Sequence, residues 1–118
     1  MSDVLADAEA LAQEVRAASC ARSVTYRRGQ LTTPVQATVG ETKAWIDTEW
    51  GRQPVRYRDY LIATTELTLY GVPQRGDVIE EVENEQTYSY EVVAPKDEPC
   101  WRYSGQTRIT MRIHTQEI

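Results

Sequence analysis

PQRGDVIEEVENEQTYSYEVVAPKDEPCWRYSG, Pro73 to Gly105, decides the fold. Gly76-Asp77 ends a loop and opens the run DVIEEVE. YSYEVVA follows after Asn84 to Thr87, so the two runs read as a hairpin. Pro95 and Pro99 bracket a turn, and CWRYS begins a further strand. The stretch lays out a sheet and carries almost no reactive chemistry.

Working outward, TRITMRIHT alternates Ile109, Met111 and Ile113 against Thr110, Arg112 and His114, a strand of period two. Upstream, SVTYRR and PVQATVG alternate in the same way around Gly29 and predict a first hairpin. VRYRDYLIAT, Val55 to Thr64, predicts a third strand, with Tyr57 and Leu61 on one side and Tyr60 and Ile62 on the other. A short helical turn or strand is expected near Thr65 to Leu69. The start, SDVLADAEALAQEVRAAS, instead places Val4, Ala8, Leu11, Val15 and Ala18 at helical spacing, with acids early and Arg16 late. The class is mainly β: a small antiparallel barrel or sandwich with an N-terminal α-helix. One domain over residues 1–118 is expected, with the helix at 1–21 and the barrel at 23–118. The least regular segment, 41–54, is a long inserted loop or a projecting β-arm. It carries Trp45 and Trp50, unusual cargo for a polar connection.

Composition narrows the function. Phe is absent, and seven Tyr and three Trp supply the large rings, each with a polar handle that wants a partner. No apolar run approaches the roughly 20 residues that cross a bilayer, and no secretory leader is legible, so an intracellular chain without a membrane partner is expected. Cys20 and Cys100 are too few for a disulfide framework and read as free thiols. The net charge of −5 argues against a surface that grips nucleic acid throughout. Its distribution is uneven: residues 20–40 hold three Arg and no acid, whereas residues 61–99 hold nine acids against two bases. Such blocks can give a folded unit unlike faces suited to head-to-tail association, or simply a solvated pattern.

Catalytic groupings are missing from the pattern. His114 is the sole histidine and reads as a surface or hydrogen-bonded side chain, with no second His to build a metal site. No Gly-rich loop precedes a helix, neither cysteine has a nucleophile's neighbourhood, and no cofactor or metal is expected. Arg75-Gly76-Asp77 matches an adhesion tripeptide but simply opens a strand. Glu81, Glu83 and Glu85 alternate onto one sheet face, either solvated or seeking a basic partner.

The C-terminal half resembles bacteriophage head-tail joining proteins, including the small neck protein of lambda-like phages. The matching places are Arg75-Gly76-Asp77-Val78-Ile79, then Tyr88-Ser89-Tyr90-Glu91-Val92, Pro95, and Cys100-Trp101-Arg102-Tyr103. The ending Thr110-Met111-Arg112-Ile113-His114-Thr115 is similar to phage and prophage proteins too. The likeness covers about residues 55–118, and the N-terminal helix only by position.

That resemblance implies a structural virion protein and no enzyme. It implies a homo-oligomeric ring, a hexamer sooner than a dodecamer, between portal or adaptor and tail, completing the DNA-filled head. Made in the host cytoplasm, it would end in the virion neck. Segment 41–54 is then the candidate channel loop, with Lys43, Arg52 and Arg56 near the phosphates of double-stranded DNA and Trp45 and Trp50 beside them. Alternatively the segment clasps the neighbouring subunit, with both Trp as anchors. Arg27, Arg28, Arg108 and Arg112 would meet Glu81 and Glu83 across a subunit interface. Other readings are an adaptor or tail-end ring of the same neck, or a free-standing small-barrel binding module.

Overall fold

A computed structural model describes residues 21–96 and 98–118. The helix expected at 1–21 falls, up to residue 20, outside the described residues, as does Cys20. The strands are β1 (Arg22–Arg28), β2 (Leu31–Thr48), β3 (Gly51–Ala63), β4 (Val78–Glu83), β5 (Gln86–Val92), β6 (Trp101–Ser104) and β7 (Thr110–Glu117). A single 3-10 turn, Thr64–Leu67, follows β3. The sheet order is β3-β2-β1-β4-β5-β7-β6, and β3 also pairs with β7. Six antiparallel strands therefore close into a barrel, with β6 as an extra strand.

Closure depends on how β7 divides its outer edge. Thr110 to Ile113 pair with β6, and Thr115 to Glu117 pair with β5. His114 sits at the handover, its N–H donating to the Cys100 carbonyl at 2.9 Å while its own carbonyl accepts from Val93 N–H at 3.0 Å. Both backbone groups of His114 are thus satisfied where the partner strand changes.

Alternation selects the core. Val24, Tyr26, Val35, Ala37, Tyr60, Ile62, Ile79, Val92, Met111 and Ile113 point inward and are buried. Burying each aliphatic side chain contributes about 1.5–3 kcal/mol. Tyr60 and Ile62 lie inside as their spacing predicts. Tyr57 and Asp59 lie on the outer face, yet both are buried there.

Each mouth of the barrel is stoppered by a carboxylate that arginines satisfy. At the end where β1 finishes, Asp77 accepts from Arg28 Nε and Nη2 at 2.9 Å, from the Gln74 N–H at 2.9 Å, and from the Tyr26 hydroxyl. Tyr70 packs edge-on against Tyr26, with ring centres 4.8 Å apart, and donates to the Tyr26 carbonyl. At the opposite mouth Glu81 takes Arg22 Nη1 at 2.9 Å and Arg58 Nη2 at 2.6 Å. Burial pushes both carboxyls up, but hydrogen bonds outweigh it: those of Arg28, Tyr26 and Gln74 hold Asp77 below its ordinary value. Arg22 and Arg58 do the same for Glu81.

This corrects the reading of Glu81 as part of a solvated sheet face with Glu83 and Glu85. Glu81 has the parity of Ile79, so it faces the barrel interior and is 3% exposed, while Glu83 lies past the barrel end. Glu85 belongs to the turn. Asn84 and Glu85 link β4 to β5 with φ of 51° and 66°, the two positive values that a two-residue hairpin turn demands.

Glu85→Gly relieves a left-handed side chain and raises stability by about 0.5–1 kcal/mol, read by urea unfolding. Asp77 and Glu81 titrate lower in the folded chain than in the unfolded one. The stability they contribute is full above the ordinary carboxylate range and is lost as pH falls from that range through their lower folded values. Asp77→Asn lowers stability near neutral pH and flattens its fall towards about pH 3, measured by denaturant unfolding across that range.

Candidate functional site

The segment 41–54 is no irregular loop. β2 and β3 stay paired from Ala37↔Ile62 out to Thr48↔Gly51, whereas β7 accompanies β3 only as far as Arg58↔Thr115. Residues 42–57 thus project from the barrel as a two-stranded arm. The tip turn, Glu49-Trp50, is held by Thr48, whose hydroxyl donates to the Gly51 carbonyl at 2.8 Å and accepts from the Trp50 N–H at 3.2 Å. Gly51 takes a φ of 107°, closed to most side chains.

Strand alternation sorts the arm into two faces. Thr42, Ala44, Ile46, Thr48 and Val55 are half-buried on one. The other is exposed throughout: Lys43 lies opposite Arg56, Trp45 opposite Pro54, and Asp47 opposite Arg52. The structure therefore brings four of the five residues singled out for the channel loop, Lys43, Trp45, Arg52 and Arg56, onto one face. Trp50 stands apart at the tip, 82% exposed. Lys43 Nζ lies 5.1 Å and Arg52 Cζ 5.5 Å from the Trp45 ring centre, so the indole arranges both cations. Arg56 leans towards Glu41 at 3.4 Å, and Asp47 towards Lys96 at 3.8 Å.

The root of the arm is built differently. Asp59, wholly buried, accepts from Arg112 Nε at 2.6 Å, from His114 Nδ1 at 2.8 Å, and from the Thr42 hydroxyl. One carboxylate thereby joins β2, β3 and β7 where the arm leaves the barrel. Burial acts to raise the Asp59 carboxyl, and the bonds from His114, Thr42 and Arg112 hold it below its usual range. Arg112 also donates to the Glu41 carbonyl at 3.0 Å. It can do so because residue 40 is Gly: a Cβ there would lie 3.2 Å from Arg112 Nη2. Between root and barrel mouth lies an open groove of about 760 Å³, lined by Val39, Glu41, Arg56, Arg58, Tyr90 and Glu117. It carries both signs of charge.

The residues expected at a subunit interface scatter. Arg27 pairs with Glu80 at 2.6 Å, Arg28 with Asp77, and Arg112 with Asp59. Glu81 is enclosed between Arg22 and Arg58. Arg108 lies over the Tyr103 ring at 5.8 Å, and Glu83 is exposed at the end of β4. His114 is hydrogen-bonded, as the sequence allowed, but 1% exposed where a surface position was the other option. Asp59 and Thr42 were missed. The available signal was an acid set between Tyr57 and Leu61 on the same strand face.

No curated protein matches the chain in a sequence comparison. A family model of phage head-tail joining proteins matches residues 2–118. The chain therefore belongs to that family, a structural protein of the virion at the junction of head and tail.

Proposed function

We propose that the protein forms a ring in the phage neck, between portal or adaptor and tail, completing the DNA-filled head and seating the tail. The observation that carries this reading is the arm: a closed barrel extends one charged, tryptophan-bearing hairpin with an exposed face that no other described residue covers. A ring of six copies is the favoured assembly, with double-stranded DNA passing through its hole. The net charge of −5 suits a passage that must release DNA as well as hold it. The basic face of the arm offers itself either to that DNA or to the neighbouring copy.

The test is the mass of the purified chain, alone and with portal complexes, followed by imaging of the neck. The expected particle contains six copies of the 13.5 kDa chain, seated below the portal. A chain that stays single at every concentration and never joins portal or tail would sink the proposal.

A further inference from the structure

We infer that the arm of each copy lies on the β4–β5 hairpin of the next, and that this contact is the seam of the ring. The inference rests on the ring reading above and adds to it which surfaces meet.

Three observations carry it. The first is position. Around the closed barrel the order is β1, β2, β3, β7, β5, β4, so the β2–β3 pair and the β4–β5 pair are separated by β1 on one side and β7 on the other. They stand on opposite flanks. The arm and the Asn84-Glu85 turn also leave the same end of the barrel, since β2 and β4 both run towards it. Two different surfaces on opposite flanks at one level are what a head-to-tail contact requires, and a closing rotation makes it a ring.

The second is charge. From Val78 to Glu91 the hairpin holds five Glu and no basic residue. Glu80 and Glu81 are neutralised within the chain by Arg27, Arg22 and Arg58, leaving Glu83, Glu85 and Glu91 exposed without an ion-pair partner in the described residues. The arm supplies free bases: Lys43 and Arg52 have no salt bridge in the described residues, and both pack on Trp45. Asp47 is taken up by Lys96, and Glu49 at the tip is the one acid of the arm without an ion pair among those residues. Facing potentials of opposite sign set register and speed encounter.

The third is apolar surface. Val82, 68% exposed, sits beside Glu83 and Glu85, Trp45 lies between the free bases Lys43 and Arg52, and Trp50 is exposed beyond them at the tip. Each side offers an apolar centre with a charged rim, the anatomy of a protein contact. At about 3.3 Å per residue the arm reaches on the order of 25 Å from Arg58 to Trp50. β7, which runs along the barrel wall, is also 8 residues long, so this reach matches a neighbour's flank.

Charge reversal tests the seam. Lys43→Glu with Arg52→Glu reverses one side, Glu83→Lys with Glu85→Lys the other, and a fourth protein carries all four changes. Association is measured by mass photometry in solution and on tail-less heads, with melting curves confirming that each variant folds. Each reversed pair is expected to weaken association by about tenfold or more, and the combined protein to recover most of it. Wild-type rings that persist unchanged in both reversed variants would overturn the seam while leaving the ring standing. Arm reversals that leave the ring intact but let packaged DNA escape would also overturn it, and would give the arm to DNA. A wild-type chain that forms no ring in solution or on heads removes both readings.

Discussion

The pairing of β3 with β7 is the constraint on which the molecule depends. It turns a sheet with two open edges into a closed barrel, and closure is the one arrangement that leaves no core strand exposed for indiscriminate pairing. The same pairing stops at Arg58↔Thr115, and that stopping point defines where the arm begins. Asp59 sits next to it. Burying a carboxylate costs several kcal/mol unless it is paired and hydrogen-bonded, and Asp59 is answered by Arg112, His114 and Thr42 at once. Loss of Asp59 itself would take the acceptor from Arg112 Nε, His114 Nδ1 and the Thr42 hydroxyl together. The direction in which the arm leaves is therefore fixed by a polar knot that resists rearrangement more strongly than a greasy hinge would.

The same economy sorts the charged side chains. Arg22, Arg27, Arg28, Arg58 and Arg112 are all drawn into pairs within the chain, and four of the five satisfy carboxylates that are themselves buried. Charges engaged in this way hold the mouths and the arm root together and have little left for a partner. Beyond the barrel, Lys43 and Arg52 on the arm and Glu83 and Glu85 at the end of the β4–β5 hairpin have no ion pair among the described residues. The division between inner and outer charges follows from strand parity and from where each strand outruns its neighbours.

Much of this was legible in the sequence. Period-two alternation located β1, the barrel halves of β2 and β3, and β4, β5 and β7, because each has one face on a core and one outside, whereas β6 was read from the proline-bracketed turn before it. The turn at Asn84 and the break at Pro95 to Pro99 marked their limits. The arm was harder to read. Along Glu41 to Thr48 charged and aromatic side chains replace aliphatic ones on one face, so nothing in the pattern signals burial, although the backbone continues as strand. Glu81 was misjudged for a related reason: alternation correctly grouped it with Glu83 but could not say which face was inward. Only long-range pairing brings Arg22 and Arg58 to it. Asp59 and His114 are far apart in sequence and meet through the β3–β7 register, and no local pattern carries that information.

A two-stranded ribbon is marginal in water by itself, so the arm needs support along its whole length. Its root has the Asp59 network, and its middle has Trp45 gripped between two cations, with Asp47 near Lys96. Among the described residues the tip has only the Thr48 bonds and an indole left in solvent. Support thus declines outward as exposed apolar surface increases. A chain gains nothing for its own stability from an 82% exposed Trp50, but a neighbour that covers it supplies what the tip lacks. The fold fixes where the arm points and leaves its outer end to be completed by contact, the division of labour suited to a protein whose family works by joining other structures.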